Sequence, residues 1–198
     1  MIGSTVSRIA LILTVFAVAG CSAQTTKTPT ATGTPTTAAP AQPVSAQPVA
    51  ATSTPAPWST APVTVVHQPP VPPVPVVTAV RYAAHPESGY ERIVFDIPGA
   101  LPGYSAKYVA QVVADGSGDP VPVPGSYYLL IVFNPAQAHT DNGTATISGT
   151  HRINLPVIKS YVVAGDYEGY VSVALGLTKK AGFHIAELSG RVYIDVAA

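Results

Sequence analysis

Hydrophobic and polar positions divide the chain near residue 76. Beyond it, short apolar or alternating runs are cut by Gly, Pro, Asn and Asp, the pattern of strands separated by turns. Residues 76–82 form the first predicted strand. In 92–97, Ile93, Phe95 and Ile97 alternate with Arg92, Val94 and Asp96, which predicts one buried and one solvated face. Pro98, Pro102 and Gly103 close that strand. Residues 104–113 make a third, ended by the turn Asp115-Gly116-Ser117-Gly118-Asp119-Pro120. Residues 127–133 are apolar on both faces, which places them centrally in a sheet. Pro135-Ala136-Gln137-Ala138-His139 predicts a single helical turn, and 140–155 a loop. Strands follow at 157–163, 170–177, 183–188 and 192–196, the last two joined through Ser189-Gly190. About eight short strands without an amphipathic helix predict an all-β domain, a small β-sandwich or barrel-like fold.

One segment is echoed. Arg92-Ile93-Val94-Phe95-Asp96-Ile97 resembles Arg191-Val192-Tyr193-Ile194-Asp195-Val196. Arg and Asp four apart share a strand face. Two such strands side by side would build a ladder of charges on a solvated surface, serving either solubility or a polar binding face.

Upstream, residues 21–75 are rich in Thr, Ala, Pro, Gln and Val, and no hydrophobic period survives. Proline fixes φ and removes donors, so neither helix nor sheet propagates. This predicts a disordered, partly polyproline-II tether, stiffest over Pro69-Pro70-Val71-Pro72-Pro73-Val74-Pro75. Trp58 reads as an incidental exposed aromatic in it, and the Pro-x-x-Pro repeats as spacer. Ahead of the tether, the apolar run 9–17 leads into Val18-Ala19-Gly20-Cys21, a lipobox. The run is nine residues, and a membrane-spanning helix needs roughly 20. Residues 1–20 are therefore expected to be a lipoprotein signal peptide. Cys21 is the expected lipid-attachment residue, holding the mature chain on the extracytoplasmic side of a cell membrane.

Formal net charge is zero, which removes the electrostatic basis for a nucleic-acid partner. Cys21 is the only cysteine, so residues 76–198 must stand on their own core, without disulfides.

Several stretches resemble the AMIN-like domain of actinobacterial lipoproteins. They are His85-Pro86-Glu87-Ser88-Gly89-Tyr90-Glu91-Arg92-Ile93-Val94-Phe95, Leu101-Pro102-Gly103-Tyr104, and Tyr108-Val109-Ala110-Gln111-Val112-Val113-Ala114-Asp115-Gly116-Ser117-Gly118. Pro135-Ala136-Gln137-Ala138-His139 and Ala164-Gly165-Asp166-Tyr167-Glu168-Gly169 continue the series. The resemblance spans residues 76–198 and implies a small β-sandwich in the cell envelope. AMIN domains proper target cell-wall amidases and secretion components to the envelope, so the resemblance implies peptidoglycan as a partner. The AMIN-like relatives have no settled activity.

Patterns that carry catalysis or metal binding are thin. Asp115, Ser117 and Asp119 have the spacing of a calcium loop, but Pro120 stands where that loop needs Gly and Ser126 where it needs Glu. Gly116-x-Gly118 lacks the third glycine and the helix of a dinucleotide loop. No Gly-x-Ser-x-Gly elbow occurs. No two of His67, His85, His139, His151 and His184 have zinc-motif spacing. We therefore expect no metal, no cofactor and no catalytic residue. A hydrolase would have to draw on His85, His139 and the Asp166/Glu168 pair.

Tyrosine rings stack on sugar faces and add a hydroxyl. Tyr90, Tyr104, Tyr108, Tyr167 and Tyr170 flank predicted strand ends. The candidate binding face is Arg81, His85, Tyr90, Arg92, Asp166, Tyr167 and Glu168. The expected protein is a non-catalytic, membrane-anchored envelope lipoprotein whose β domain binds peptidoglycan or another wall glycan. The alternative is a protein-interaction or assembly module of the envelope without glycan affinity, and behind it the hydrolase.

Overall fold

The computed structural model describes residues 57–198. The predicted signal peptide, Cys21 and the tether up to residue 56 lie outside the described residues. Within them the chain is all-β. The strands are β1 (Val63–Val65), β2 (Ala79–His85), β3 (Tyr90–Asp96), β4 (Gly103–Val109), β5 (Tyr127–Asn134), β6 (Thr150–Arg152), β7 (Ile158–Tyr167), β8 (Tyr170–Leu177), β9 (Phe183–Leu188) and β10 (Arg191–Ala197). A single 3-10 turn, Pro86–Ser88, joins β2 to β3. The order β1-β4-β5-β8-β7-β6 makes a six-stranded sheet and β2-β3-β10-β9 a four-stranded one. Every strand pairing is antiparallel.

Strand alternation gives each sheet one apolar face, and the two faces meet. Ile93 and Phe95 of β3 and Val192, Ile194 and Val196 of β10 share one core with Leu129, Ile131 and Phe133 of β5 and Val171, Val173 and Leu175 of β8. Phe95 and Phe133 pack edge to face with ring centres 5.0 Å apart. The expected β-sandwich is thus the fold.

One inward position is charged. Glu91 is only 1% exposed, and its two carboxylate oxygens accept the N–H groups of Val157 (2.8 Å) and Ile158 (2.6 Å). These donors replace the water that a buried carboxylate loses. They also tie β3 of one sheet to the start of β7 in the other.

β5 lies between β4 and β8, as two apolar faces require. The Tyr128–Leu130 part of its outer face is covered by the long β4–β5 connection, whose Val112, Val121 and Val123 pack with Tyr128, Leu130, Val162, Ala164 and Ala174 in a second, smaller core.

Four sequence expectations change. The tether ends earlier than its composition implies, because residues 57–75 lie on the sandwich. Phe183 N–H donates to the Ser59 carbonyl (2.8 Å) at the edge of β9, and β1 pairs along β4 with Val63 opposite Ala106. This strap therefore runs from the edge of one sheet to the edge of the other. Val63-Thr64-Val65 is too short to show a period in sequence, yet it suffices to cover an open edge of β4. Trp58, expected to be incidental, stacks on His184 with ring centres 4.3 Å apart and 6° between the planes. The predicted helical turn at 135–139 is absent. Gln137 donates its N–H to the Pro75 carbonyl and accepts from Val77 N–H, both at 2.9 Å, so its backbone groups are taken by the incoming strap. Finally, β6 forms inside the predicted loop 140–155, as a three-residue edge strand on β7.

Candidate functional site

The echoed segments become neighbours. β3 and β10 pair antiparallel, which sets Arg92 opposite Asp195 and Asp96 opposite Arg191. Arg92 donates through Nε and Nη2 to the two oxygens of Asp195 at 2.6 and 2.8 Å. Arg81 of β2 does the same to Asp96 at 2.6 and 2.5 Å, and Arg191 Nε adds a bond of 3.1 Å to that carboxylate. Hydrogen bonding to Arg81 holds the Asp96 carboxyl below its ordinary range. The Arg92 guanidinium also lies over the Tyr193 ring, 4.1 Å from its centre, and 5.2 Å from that of Tyr90. His85 stacks on Tyr90 with centres 4.7 Å apart, and its Nδ1 is 4.0 Å from Glu87. Arg81, His85, Tyr90 and Arg92 thus share the outer face of the four-stranded sheet, with both arginines directing a two-pronged grip at carboxylates of their own sheet.

Asp166, Tyr167 and Glu168 lie elsewhere. They form the β7–β8 hairpin of the six-stranded sheet, where Glu168 takes φ 50° and Gly169 φ 79° to make the tip. Asp166 Oδ2 is 2.6 Å from His139 Nδ1. Tyr167 pairs with Tyr170, so both rings project from the outer side of that sheet; they are 54% and 48% exposed. The seven predicted residues therefore do not form one face. Alternation orders residues within a strand, but the two groups belong to sheets packed back to back through the core. The same division separates His85 from the His139–Asp166 pair, so the set a hydrolase would need is split between sheets. Among the described residues, no group of three or more His, Cys, Asp or Glu side chains is placed to hold a metal ion.

The outer side of the six-stranded sheet carries the more open geometry. One cavity of about 520 Å³ lies between the β4–β5 connection and the hairpin, with Asp115, Leu130, Val132, Tyr167, Tyr170 and Ser172 among its walls. A second, of about 480 Å³, lies between the strap and the sheet, bounded by Thr64, Gln68, Ser105, Val132, Asn134 and Tyr170 among others. Val132 and Tyr170 line both, so the two adjoin on the outer side of the sheet, with Tyr170 between them in one shallow groove. Asp115 is held at its wall by close approach to Gly165, where any Cβ would overlap the carboxylate. Its buried Oδ2 has no hydrogen-bond partner.

Beside the groove, Glu187 of β9 points inward. It accepts from the Tyr104 hydroxyl at 2.8 Å and sits 2.7 Å from His67 Nε2 of the strap. The His67 contact, then the Tyr104 bond, outweigh partial burial and hold the Glu187 carboxyl below its ordinary range. Burial, reinforced by Glu187, pushes the Tyr104 phenol well up.

Sequence reasoning identified Tyr167 and Tyr170 but missed Asp115, Val132, Ser172 and the strap. A signal existed for the β4–β5 connection: Gly165, Ser172, Ala174 and Gly176 are small residues on β7 and β8, as a chain crossing their outer face requires. Nothing in the Thr/Pro-rich segment marked the strap.

Two antiparallel sheets back to back, with an open, tyrosine-bearing outer face on the larger one, make this a β-sandwich. The chain belongs to the AMIN-like family: the family model for the AMIN-like domain matches residues 75–198, more than half of its length. Domains of this family are generally non-catalytic, envelope-associated and extracytoplasmic. No curated protein and no solved structure matches the chain.

Proposed function

We propose that this protein is a lipid-anchored lipoprotein of the cell envelope whose AMIN-like sandwich holds peptidoglycan glycan, without chemistry, in the groove across Tyr170. The observation that carries the reading is the sharing of Tyr170 and Val132 by two cavities, which leaves a half-exposed ring in the middle of an open groove. A linear polymer suits such a groove, and a sugar ring suits the phenol face. Thr64, Gln68, Ser105, Asn134 and Ser172 supply neutral hydroxyl and amide groups of the kind that pair with sugar hydroxyls and N-acetyl groups. Acylation of Cys21 anchors the chain, stably if two or more acyl chains are present. The tether then keeps the domain concentrated at the wall, so weak binding is sufficient.

Two measurements test this. The chain from residue 21 carrying Cys21→Ala, which is soluble on this reading, is expected to pellet with purified peptidoglycan. Tyr170→Ala should weaken that binding roughly five- to tenfold, from loss of about 1 kcal/mol of stacking. Pelleting no greater than that of albumin across salt concentrations would reject the glycan, and a groove crosslink to one envelope protein would establish the interaction-module alternative. In cells, Cys21→Ala should move the protein out of the detergent phase.

A further inference from the structure

The groove has a wall that the family match does not include. Residues 75–198 match the AMIN-like domain, whereas Thr64, Val65, Val66, His67, Gln68 and Pro69 all line the cavity beside Tyr170. The floor is β4, β5 and β8, represented by Ser105, Val132, Asn134 and Tyr170. Remove the strap and that half of the groove becomes an open sheet face with an unpaired β4 edge.

The strap is held by a small set of contacts. They include the three-residue pairing of β1 with β4, the Ser59–Phe183 and Pro75–Gln137 bonds, the Trp58–His184 stack and the His67–Glu187 contact. None of the strap's own residues belongs to the main core cluster, although Val63 and Val65 pack against it. A short edge strand with so few contacts lies at the low end of local stability. Whatever bridges it to the floor must then stabilise its docked state, and docking must in turn favour binding by the same factor.

We propose that the strap is a working part of the binding site: wall glycan is gripped between residues Thr64–Gln68 and the floor at Ser105, Asn134 and Tyr170, and binding clamps the strap onto the sandwich. The inference rests on the reading of the groove as a glycan site. Its consequence is that the segment leading towards Cys21 and the segment touching the ligand are continuous. Tension along the tether pulls first on the Trp58 stack and the Ser59 bond and then on β1, and bound glycan resists the peeling of β1.

The test uses the chain from residue 21 with Cys21→Ala. Soluble glycan fragments released from peptidoglycan by lysozyme serve as ligand. Thr64 and Gln68 are exposed and outside the core, so Thr64→Val with Gln68→Ala is expected to leave the melting temperature unchanged and weaken binding at least fivefold. Trp58→Ala, outside the groove, loosens the strap and should weaken binding through docking alone, with the deficit shrinking when a disulfide formed by Val63→Cys and Ala106→Cys locks β1 in place. Hydrogen exchange at the Val63–Val65 segment and at Phe183 N–H should slow at least threefold with saturating fragments. If the Thr64/Gln68 variant binds like the parent, or if fragments bind without slowing strap exchange, the inference is overturned while the glycan reading stands. If the parent binds no fragments and no peptidoglycan, the glycan reading fails and takes the inference with it.

Discussion

Glu91 offers the sharpest test of how this sandwich is held. Its carboxylate is 1% exposed and faces the Val157 and Ile158 N–H groups at 2.8 and 2.6 Å. Glu91→Leu removes the buried charge and its desolvation cost, but strands two donors. At about 1–3 kcal/mol for each stranded group, partly offset by the relieved charge, the net loss is about 3 kcal/mol. Glu91→Gln keeps one acceptor as a neutral bond and turns an amide NH₂ towards the other N–H, so about 2 kcal/mol is lost. The expected order of stability is Glu, then Gln, then Leu. For a domain of this size, the leucine change should lower Tm by roughly 10 °C. Urea unfolding followed by intrinsic fluorescence gives the free energies, with unchanged m-values confirming that the transition stays two-state. Glu91→Leu as stable as the parent would refute the argument, because burial of the charge would then outweigh its two hydrogen bonds.

Three further outcomes are expected. Asp96 and Glu187 titrate below their ordinary carboxyl values in the folded state, chiefly through Arg81 and His67; their stabilisation is therefore full above the unfolded pKa and is lost as pH falls through the folded one, and Asp96→Asn should flatten the decline in Tm below about pH 4. Tyr104 is shifted the other way, so its contribution is full below the unfolded value of 10.0 and falls as pH rises above it. Tyr104→Phe should lose about 1–2 kcal/mol at neutral pH, from the bond to Glu187, and decline less steeply than the parent in titrations from pH 10 to 12. A chain beginning at residue 75, the start of the family match, should unfold at a lower urea midpoint than one beginning at residue 51, because β1, the Trp58 stack and the His67 contact are gone; equal midpoints would mean that the strap contributes nothing to the fold.

The strands were legible wherever local pattern carries the information. The alternation in 92–97 and 191–196 identified β3 and β10, and the Arg-to-Asp spacing anticipated the charge ladder that their antiparallel pairing creates. The two apolar faces of 127–133 placed β5 between two neighbours, although what covers part of its outer face is a connection whose Pro and Gly content reads only as loop. For the site, tyrosine content at strand ends led to Tyr167 and Tyr170, and nothing local led to Asp115, whose place depends on Gly165 of a strand far along the chain.

The sequence by itself determined strand periodicity, the composition of the core and membership of a β-sandwich family, because side-chain direction alternates along a strand regardless of its partners. Only the tertiary structure decided which strands share a sheet, and hence that Arg81 and Arg92 lie on one sheet while Tyr167 and Glu168 lie on the other. It also decided that a proline-rich stretch docks as β1, because an edge strand is defined by the unpaired backbone it meets and not by its own side chains.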